Sequence, residues 1–178
     1  MTTIQAIILG IIQGLTEFLP ISSSGHLVIL PFFLNWEIAS KEGYIFNVLV
    51  QIGTLISVIF YFRNVLIDIT KDFFKQLFIG TPLATHNARL GWLLIIATIP
   101  AGLAGLFFED VVEQTFSSPL FAGIALLATG TLMIIAEIVN MKIGDIHDIN
   151  FSTALLMGLM QSLAIFPGVS RSGATISG

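Results

Sequence analysis

Long apolar stretches separated by short polar ones run through most of the 178-residue sequence. Three of them, at 44–62, 90–108 and 120–139, are long enough to cross a bilayer as helices, which takes about 20 residues. Two others, at 1–34 and from 150 onwards, are interrupted by hydroxyl residues, glycine and proline. The pattern predicts an all-α integral membrane protein with three transmembrane helices and two broken helical segments.

The composition supports this class of protein. The chain is 55% hydrophobic and 10% charged, with a mean hydropathy of +0.95, whereas soluble domains are about 25% charged. Its net charge of −4 does not imply a nucleic-acid partner, and no Lys/Arg cluster exists to bind one, so we expect none. There is no cysteine, which excludes disulfides, thiolate nucleophiles and cysteine-ligated zinc. The partner implied by composition is the bilayer itself.

The first broken segment contains QGLTEFLPISSSGH at 13–26. Polar groups at membrane depth are costly and tend to line a cavity or a site. The helical pattern of 4–18 would span only about 22 Å, Pro20 ends it, and 22–25 provides a turn and N-cap for a second short helix at 26–34. We expect a re-entrant helix–loop–helix hairpin; a single long kinked transmembrane helix is the alternative.

A second stretch repeats the first at an offset of 148 residues, which takes Gln13 to Gln161. The identical pairs are Gly10 and Gly158, Gln13 and Gln161, Leu15 and Leu163, Phe18 and Phe166, Ser22 and Ser170, Ser24 and Ser172, and Gly25 and Gly173. Three spans separate the copies, so the second hairpin is expected to enter from the opposite face as an inverted repeat, with both tips meeting at the midplane. We therefore expect one membrane domain over 1–178, with repeat 1 at about 1–140 and the start of repeat 2 at about 150–178.

The connecting segments predict the topology. Lys and Arg place 64–89 and 141–150 in the cytoplasm, and the acidic connection 109–118 outside. The first of these loops has the pattern of a short amphipathic surface helix. Asn47 and Gln51 lie four residues apart on one helix face, where they either bond neighbouring helices or form the wall of a polar chamber.

Arg171 is the first candidate for chemistry. Its guanidinium is a planar fork of donors suited to phosphate oxygens. It is flanked by Ser170, Ser172 and Gly173 at a helix start, where backbone N–H groups and the helix dipole favour an anion. These residues predict an anion site.

Glu17 is a candidate of the opposite kind. It lies four residues after Gln13 on one helix face, so the pair could hold a divalent cation, or Glu17 could act as a base. Ser23 and His26 are three residues apart, so a hydroxyl nucleophile beside an imidazole base is available, and His26 itself is an alternative nucleophile.

Three interpretations follow from bringing these groups together. Arg171 and Glu17 could simply form a buried structural ion pair, in a scaffold whose polar residues only join helices. Paired hairpins are also used by carriers, so a transporter or flippase of polyprenyl phosphates or anions is the main alternative. An acid, a hydroxyl, an imidazole and an arginine in one membrane cavity favour metal-assisted phosphate chemistry on a lipid.

Both stretches resemble motifs of the bacterial undecaprenyl-diphosphate phosphatase, or bacitracin-resistance, family. The first resembles its Glu/Gln-x-x-x-Glu signature, and 167–175 resembles its Pro-Gly-x-Ser-Arg-Ser-x-x-Thr motif, with Ile99-Pro100-Ala101 also similar. The resemblance implies a multi-pass hydrolase of the bacterial inner (plasma) membrane. It would convert undecaprenyl diphosphate to undecaprenyl phosphate and inorganic phosphate, recycling the carrier lipid for peptidoglycan synthesis, cell-wall biogenesis and cell shape, and conferring bacitracin resistance.

The resemblance also implies residue roles. Glu17 and Gln13 would serve a divalent cation, Mg²⁺ or Ca²⁺, or acid–base chemistry; Ser23 and His26 would transfer the phosphoryl group, and Arg171 would hold the diphosphate. The expected substrate-binding residues are Gln13, Ser22, Ser24, Gly25, Ser170, Arg171, Ser172, Gly173 and Thr175. Gln13 stands where many members have Glu, which weakens a role as a base.

Members of the family continue for about three further spans. The spans of the second repeat that would correspond to 44–139 are therefore expected to be missing, and the chain is expected to be truncated. The sequence leaves open which of Ser23 and His26 attacks, which metal is used, the isoprenoid length, the oligomeric state, including a homo-oligomer, and whether the truncated chain folds and is active.

Overall fold

The computed structural model describes residues 1–138 and 149–177. Within these ranges every regular element is helical, as predicted. The helices are α1 Thr3–Thr16, α2 Ser23–Phe33, α3 Ser40–Tyr61, α4 Arg63–Ile79, α5 His86–Phe107, α6 Glu109–Phe116, α7 Pro119–Ile138, α8 Phe151–Ser162 and α9 Arg171–Ser177, with a 3₁₀ turn at Leu163–Ile165.

The three predicted spans are confirmed as α3, α5 and α7, which are long and apolar enough to cross a membrane. The first two begin earlier than the predicted 44 and 90, at Ser40 and His86, because the polar residues there extend the first turn. The predicted end of the third span at Val139 lies outside the described residues. Most side chains of these helices are exposed, as expected when hydrocarbon is the surrounding solvent.

The connections contain more helix than predicted. The segment predicted as an acidic connection at 109–118 folds as α6, whose first turn carries Glu109 and Asp110, where negative charge complements the helix dipole. The predicted surface helix is the longer α4, which packs on α5 through Phe73 and Trp92, with ring centroids 5.1 Å apart. Most of the predicted loop at 141–150 lies outside the described residues.

The first broken segment consists of α1 and α2, which contact each other across a break at residues 17–22. The Ser22 side chain caps α2, and its backbone has φ 61°, a left-handed value that is uncommon outside glycine. Two contacts show that α1 runs beside α3 in the same direction. The Met1 amino group lies 2.8 Å from Glu42 Oε1, near the start of α3, and Gln13 Nε2 lies 3.4 Å from Thr54 Oγ1. Gln13, one turn before the break, is therefore level with Thr54 in the second half of α3.

The second broken segment consists of α8, the 3₁₀ turn and α9. It runs beside α5 in the same direction, since Arg89 Nη2 donates to the Ile149 carbonyl at 3.0 Å and Gly158 packs on the backbone of Ala97. Its helix starts match those of the first segment at the offset found in the sequence. Asn150 caps α8 as Thr2 caps α1, and α9 begins 148 residues after α2.

The two breaks meet against the first half of α7, between Ala122 and Thr129. Gly25 and Gly168 lie so close that a Cβ added to Gly25 would be 2.9 Å from Gly168 Cα. Gly168 itself has φ +95° and packs on the Ala122 backbone, which only a residue without a side chain permits. Thr129 Oγ1 lies 3.4 Å from the Gly168 carbonyl oxygen. The crossing of the two breaks is thus closely packed, and Pro167 and Ser170 there are among the largest fully buried side chains of the described chain.

Candidate active site

A cavity of about 160 Å³ lies where the two breaks meet. Its lining takes polar side chains from both broken segments, supplemented by residues of α3 and α6. The polar lining residues from the breaks are Glu17, Ser22, Ser23, Ser24, Ser170, Arg171 and Ser172. Residues separated by about 150 positions in the chain therefore share one cavity, as the repeat predicts.

Glu17 is the acidic group of this cavity. Its side chain is 20% exposed, and its Oε2 atom accepts hydrogen bonds from Ser23 Oγ and, at 2.9 Å, from Gln13 Nε2. Among the hydrogen bonds of the described residues none reaches Oε1, which lies 4.0 Å from Arg171 Nη1. One carboxylate oxygen is thus held by the protein while the other faces the arginine.

Arg171 keeps most of its side chain accessible. Its relative exposure is 57%, and its contact with Glu17 is at the outer limit of an ion pair. A structural pair that offsets two buried charges would have a closer, hydrogen-bonded geometry. The arrangement favours the anion-site interpretation over the structural ion pair, because the guanidinium donors remain able to meet phosphate oxygens.

Gln13 lies behind Glu17 and is almost completely buried, with a relative exposure of 1%. Its Nε2 atom donates to Glu17 and to Thr54 Oγ1, whereas its Oε1 atom is buried and has no hydrogen-bond partner among the described residues. Thr54 was not predicted as a site residue. The available signal was its position three residues after Gln51, on the polar face of α3.

The flanking serines cap the two helices. The Ser22 and Ser170 hydroxyls accept from the N–H groups of Gly25 and Gly173, at 3.3 and 3.1 Å. The same hydroxyls lie 3.3 and 3.2 Å from those of Ser24 and Ser172. The repeat therefore extends to matching hydrogen bonds, and Ser22 and Ser170 have a structural role in addition to lining the cavity.

Five of the expected site residues lie outside the cavity lining: Gln13, which lies behind Glu17, and His26, Gly25, Gly173 and Thr175. The His26 Nδ1 atom is 2.8 Å from the Ser22 carbonyl oxygen, and Ser23 donates to Glu17, so the structure does not pair Ser23 with His26. Thr175 Oγ1 donates to the Arg171 carbonyl within α9. The glycines serve close packing: Gly25 against Gly168, and Gly173 beside Met133 and Thr129.

Lining residues that were not predicted as site residues also come from the surrounding helices α3 and α6. Tyr44 and Gln51 of α3 and Phe116 of α6 line the cavity, and the Tyr44 and Phe116 rings are 5.4 Å apart. Gln51 thus forms part of a polar chamber wall, one of the two predicted alternatives. The aromatic pair had no sequence signal because its members are brought together only by the packing of α6 on α3.

The donor set is compatible with a hard divalent cation. Within residues 1–138 and 149–177 there is no group of three or more His, Cys, Asp or Glu side chains. Mg²⁺, however, is commonly held by one or two carboxylates together with water and substrate phosphates. Glu17 Oε1 at the cavity and the unpartnered Oε1 of Gln13 behind it are oxygen donors of this kind, so the chemistry of the donor set is compatible with a cation whose coordination a phosphate substrate would complete.

The fold and the cavity define a helical membrane protein with a polar cavity at the crossing of two broken helical segments. Over residues 6–178 the sequence matches the family of bacitracin resistance protein BacA, and the chain belongs to this family. It is 46% identical to the undecaprenyl-diphosphatase of Alkaliphilus metalliredigens (strain QYMF) over 100% of this chain and 66% of that protein. The undecaprenyl-diphosphatase of Thermomicrobium roseum (strain ATCC 27502 / DSM 5159 / P-2) is 42% identical over 97% of this chain and 64% of its own length. The chain thus spans slightly less than two thirds of these relatives.

Proposed function

We propose that the chain carries the catalytic residues of an undecaprenyl-diphosphatase. The reaction would convert undecaprenyl diphosphate and water to undecaprenyl phosphate and inorganic phosphate, recycling a carrier lipid for peptidoglycan synthesis and conferring bacitracin resistance. The observation that carries the proposal is the cavity in which Glu17, Ser23 and Arg171 converge from two distant segments. The names of the relatives supply the substrate.

We further propose that both broken segments are re-entrant hairpins of opposite orientation. The supporting contacts are that α1 runs parallel to α3 and α8 parallel to α5. The end of α6, which follows α5, meets the start of α3 through Phe116 and Tyr44, and the start of α5 meets α4 through Asn87 and Asp72 at 3.0 Å. Because α3 and α5 are then antiparallel, α1 and α8 enter from opposite faces of the membrane, and the cavity lies near its midplane.

In the proposed mechanism Ser23 is the nucleophile. Its hydroxyl already donates to Glu17, so the carboxylate can accept the proton as Oγ attacks the terminal phosphorus. The bond from phosphorus to the bridging oxygen breaks, and undecaprenyl phosphate leaves. Water then attacks the phosphoserine, the Oγ–phosphorus bond breaks, inorganic phosphate departs and Ser23 regains a proton through Glu17. Net consumption is one water per phosphate released.

Arg171 would hold the diphosphate throughout, because its donors face the cavity and its charge is only weakly engaged by Glu17. Gln13 and Glu17 would hold a divalent cation, Mg²⁺ or Ca²⁺, beside it. When bound, such a cation supplies electrostatic stabilisation of the charged phosphate oxygens. The substrate-binding role of Ser24 and Ser172 is proposed on their position in the lining.

The test is release of inorganic phosphate from undecaprenyl diphosphate by the purified chain in detergent. Glu17→Gln should lower kcat by about 10²–10⁴-fold, and Ser23→Ala and Arg171→Ala should reduce release to background. Ser57→Ala is the matched control, since Ser57 is exposed on α3 and its hydroxyl bonds only the Gly53 carbonyl in the described region.

Loss of activity in His26→Ala with retention in Ser23→Ala would make the imidazole the nucleophile and contradict the proposed role of Ser23. Movement of the lipid across vesicles without phosphate release would instead indicate a transporter. Full activity in both Glu17→Gln and Arg171→Ala would leave the cavity as a structural feature and refute the enzymatic function.

A further inference from the structure

An apolar groove extends from the polar cavity along α3. The groove has a volume of about 450 Å³, and Glu17 and Arg171 form its polar edge. Its apolar lining consists of Val48, Ile52, Leu55 and Val58 on α3 and Phe18 after α1, and Gln51 and Thr54 of α3 are its other polar residues. We call this surface the α3 groove.

The polar cavity and the adjoining α3 groove are arranged as the polar head and the hydrocarbon tail of a lipid are. The polar cavity is lined by Tyr44, Val48 and Gln51, in the first half of α3, whereas the groove continues past Ile52 to Val58. At 1.5 Å per residue, the stretch from Val48 to Val58 is about 15 Å long. A diphosphate between Glu17 and Arg171 would thus have hydrocarbon leading away from it along one helix.

We propose that the α3 groove binds the first part of the isoprenoid tail of the lipid diphosphate and so contributes to chain-length selection. This inference rests on the proposed function, because it assigns the tail of the same substrate. Continuity with Glu17 and Arg171 is the reason to assign this occupant. A phosphorylated polyprenol has a chemical partner for each part of the surface, because its phosphates can meet Arg171 while its hydrocarbon lies along the aliphatic side chains of α3.

A second apolar groove provides the comparison. It lies on α5, has a volume of about 530 Å³ and is lined by Leu94, Ile95, Thr98, Ile99, Gly102, Leu103 and Leu106. All of these residues come from one helix, and none is charged. It is therefore large enough for hydrocarbon but offers nothing to a phosphate, and we assign it to ordinary contact with the bilayer.

The experiment compares Leu55→Asn in the α3 groove with Leu103→Asn in the α5 groove. The two leucines have similar exposures of 55% and 49%, so both substitutions place an amide on an accessible apolar surface. The first measurement is kcat/KM for undecaprenyl diphosphate and for isopentenyl diphosphate, whose tail is a single isoprene unit too short to extend along the groove to Leu55. Leu55→Asn should lower the value for the long substrate by about tenfold, because an unpaired amide opposes contact with hydrocarbon. It should leave the short substrate nearly unchanged, and Leu103→Asn should change neither.

The second measurement is binding of undecaprenyl phosphate, which requires no hydrolysis. Leu55→Asn should weaken binding by a similar factor and Leu103→Asn should not; the milder Leu55→Ala gives the same comparison if the amide impairs folding. Equal effects of the two Asn variants, or equal losses on both substrates, would refute the tail site. If the unmodified chain releases no phosphate yet the binding difference persists, the proposed function fails while the tail site stands.

Discussion

Gly158 provides a direct test of the packing between α8 and α5. A Cβ added at this position would lie 2.5 Å from the Ala97 carbonyl oxygen and 3.0 Å from its Cα. Both are backbone atoms of a long helix, so the neighbour cannot move aside as a flexible side chain would. Overpacking of this kind costs about 1–3 kcal/mol. Gly158→Ala should therefore destabilise the fold.

The internal repeat supplies a matched control. Gly10 occupies the position corresponding to Gly158 in α1, and a Cβ there would meet nothing within 4 Å. Both substitutions replace a helical glycine by alanine, so their helix-propensity contributions, about 0.8–1 kcal/mol in favour of alanine, largely cancel in the comparison. The difference in unfolding free energy should then report the clash alone, about 1–3 kcal/mol.

The assay is chemical unfolding of the two variants in the same detergent, followed by helical circular dichroism. Gly10→Ala should be as stable as the unmodified chain or slightly more so, whereas Gly158→Ala should unfold at lower denaturant. The same midpoint for both variants would mean that α8 does not pack on Ala97 as described. The reasoning about the second broken segment would then be wrong, since its direction depends on this contact.

Three further substitutions test the hydrogen bonds around the cavity. Thr54→Val removes the hydroxyl that accepts a hydrogen bond from Gln13 Nε2. It should reduce kcat by about fivefold, the effect of losing one hydrogen bond of about 1 kcal/mol, and Thr54→Ser should keep the rate of the unmodified chain. Equal rates for the Val and Ser variants would show that Thr54 does not position Gln13. Arg171→Lys keeps the charge but loses the planar fork of donors, so KM for the diphosphate should rise. An unchanged KM would contradict the role of the guanidinium in binding the diphosphate. Ser170→Ala removes the cap on the N–H of Gly173 and should lower the unfolding free energy by about 1 kcal/mol; unchanged stability in thermal unfolding would argue against the cap.

The large-scale structure follows directly from local signals in the sequence. Each of the long spans is recognised by length and hydropathy, because a bilayer requires about 20 apolar residues whatever surrounds them. The meeting of Glu17 and Arg171 also follows from sequence, since the repeat places Ser22 and Ser170 at equivalent turns. Both serine hydroxyls cap the following helix in the same way, so the sequence identities at an offset of 148 residues correspond to matching hydrogen bonds.

The details that escape prediction depend on contacts between different helices. Thr54 reaches Gln13 only because α1 and α3 run in parallel at a particular register, which no local pattern encodes. The spacing of Ser23 and His26 permits a pair, but three residues along a first helical turn do not determine where the imidazole turns. It bonds the Ser22 carbonyl instead. Helix α6 was missed because eight residues carry too little periodicity to distinguish a helix from a loop.

Gln13 raises a final question about charge, since the Glu/Gln-x-x-x-Glu signature that the sequence resembles admits Glu at this position. Here the Gln13 amide donates to Glu17 Oε2 at 2.9 Å while its own Oε1 is unpartnered. In Gln13→Glu a carboxylate replaces the amide donor and faces the Glu17 carboxylate, at a position whose side chain is 1% exposed. Two like charges at this distance repel strongly at low dielectric, and a divalent cation between them is the natural compensation.

Gln13→Glu should therefore make both folding and activity more dependent on a divalent cation. Without added Mg²⁺ or Ca²⁺ the variant should melt at a lower temperature than the unmodified chain, and the cation should restore the melting temperature by binding the folded state. Gln13→Ala removes the donor without adding charge, so it should show no such rescue. Identical melting responses of the Glu and Ala variants to the cation would refute this reasoning. If the cation restores the melting temperature of the Glu variant and not that of the Ala variant, the Gln13 amide stabilises the Glu17 carboxylate by donating to it. The unmodified chain would then depend less on a bound cation for that stabilisation.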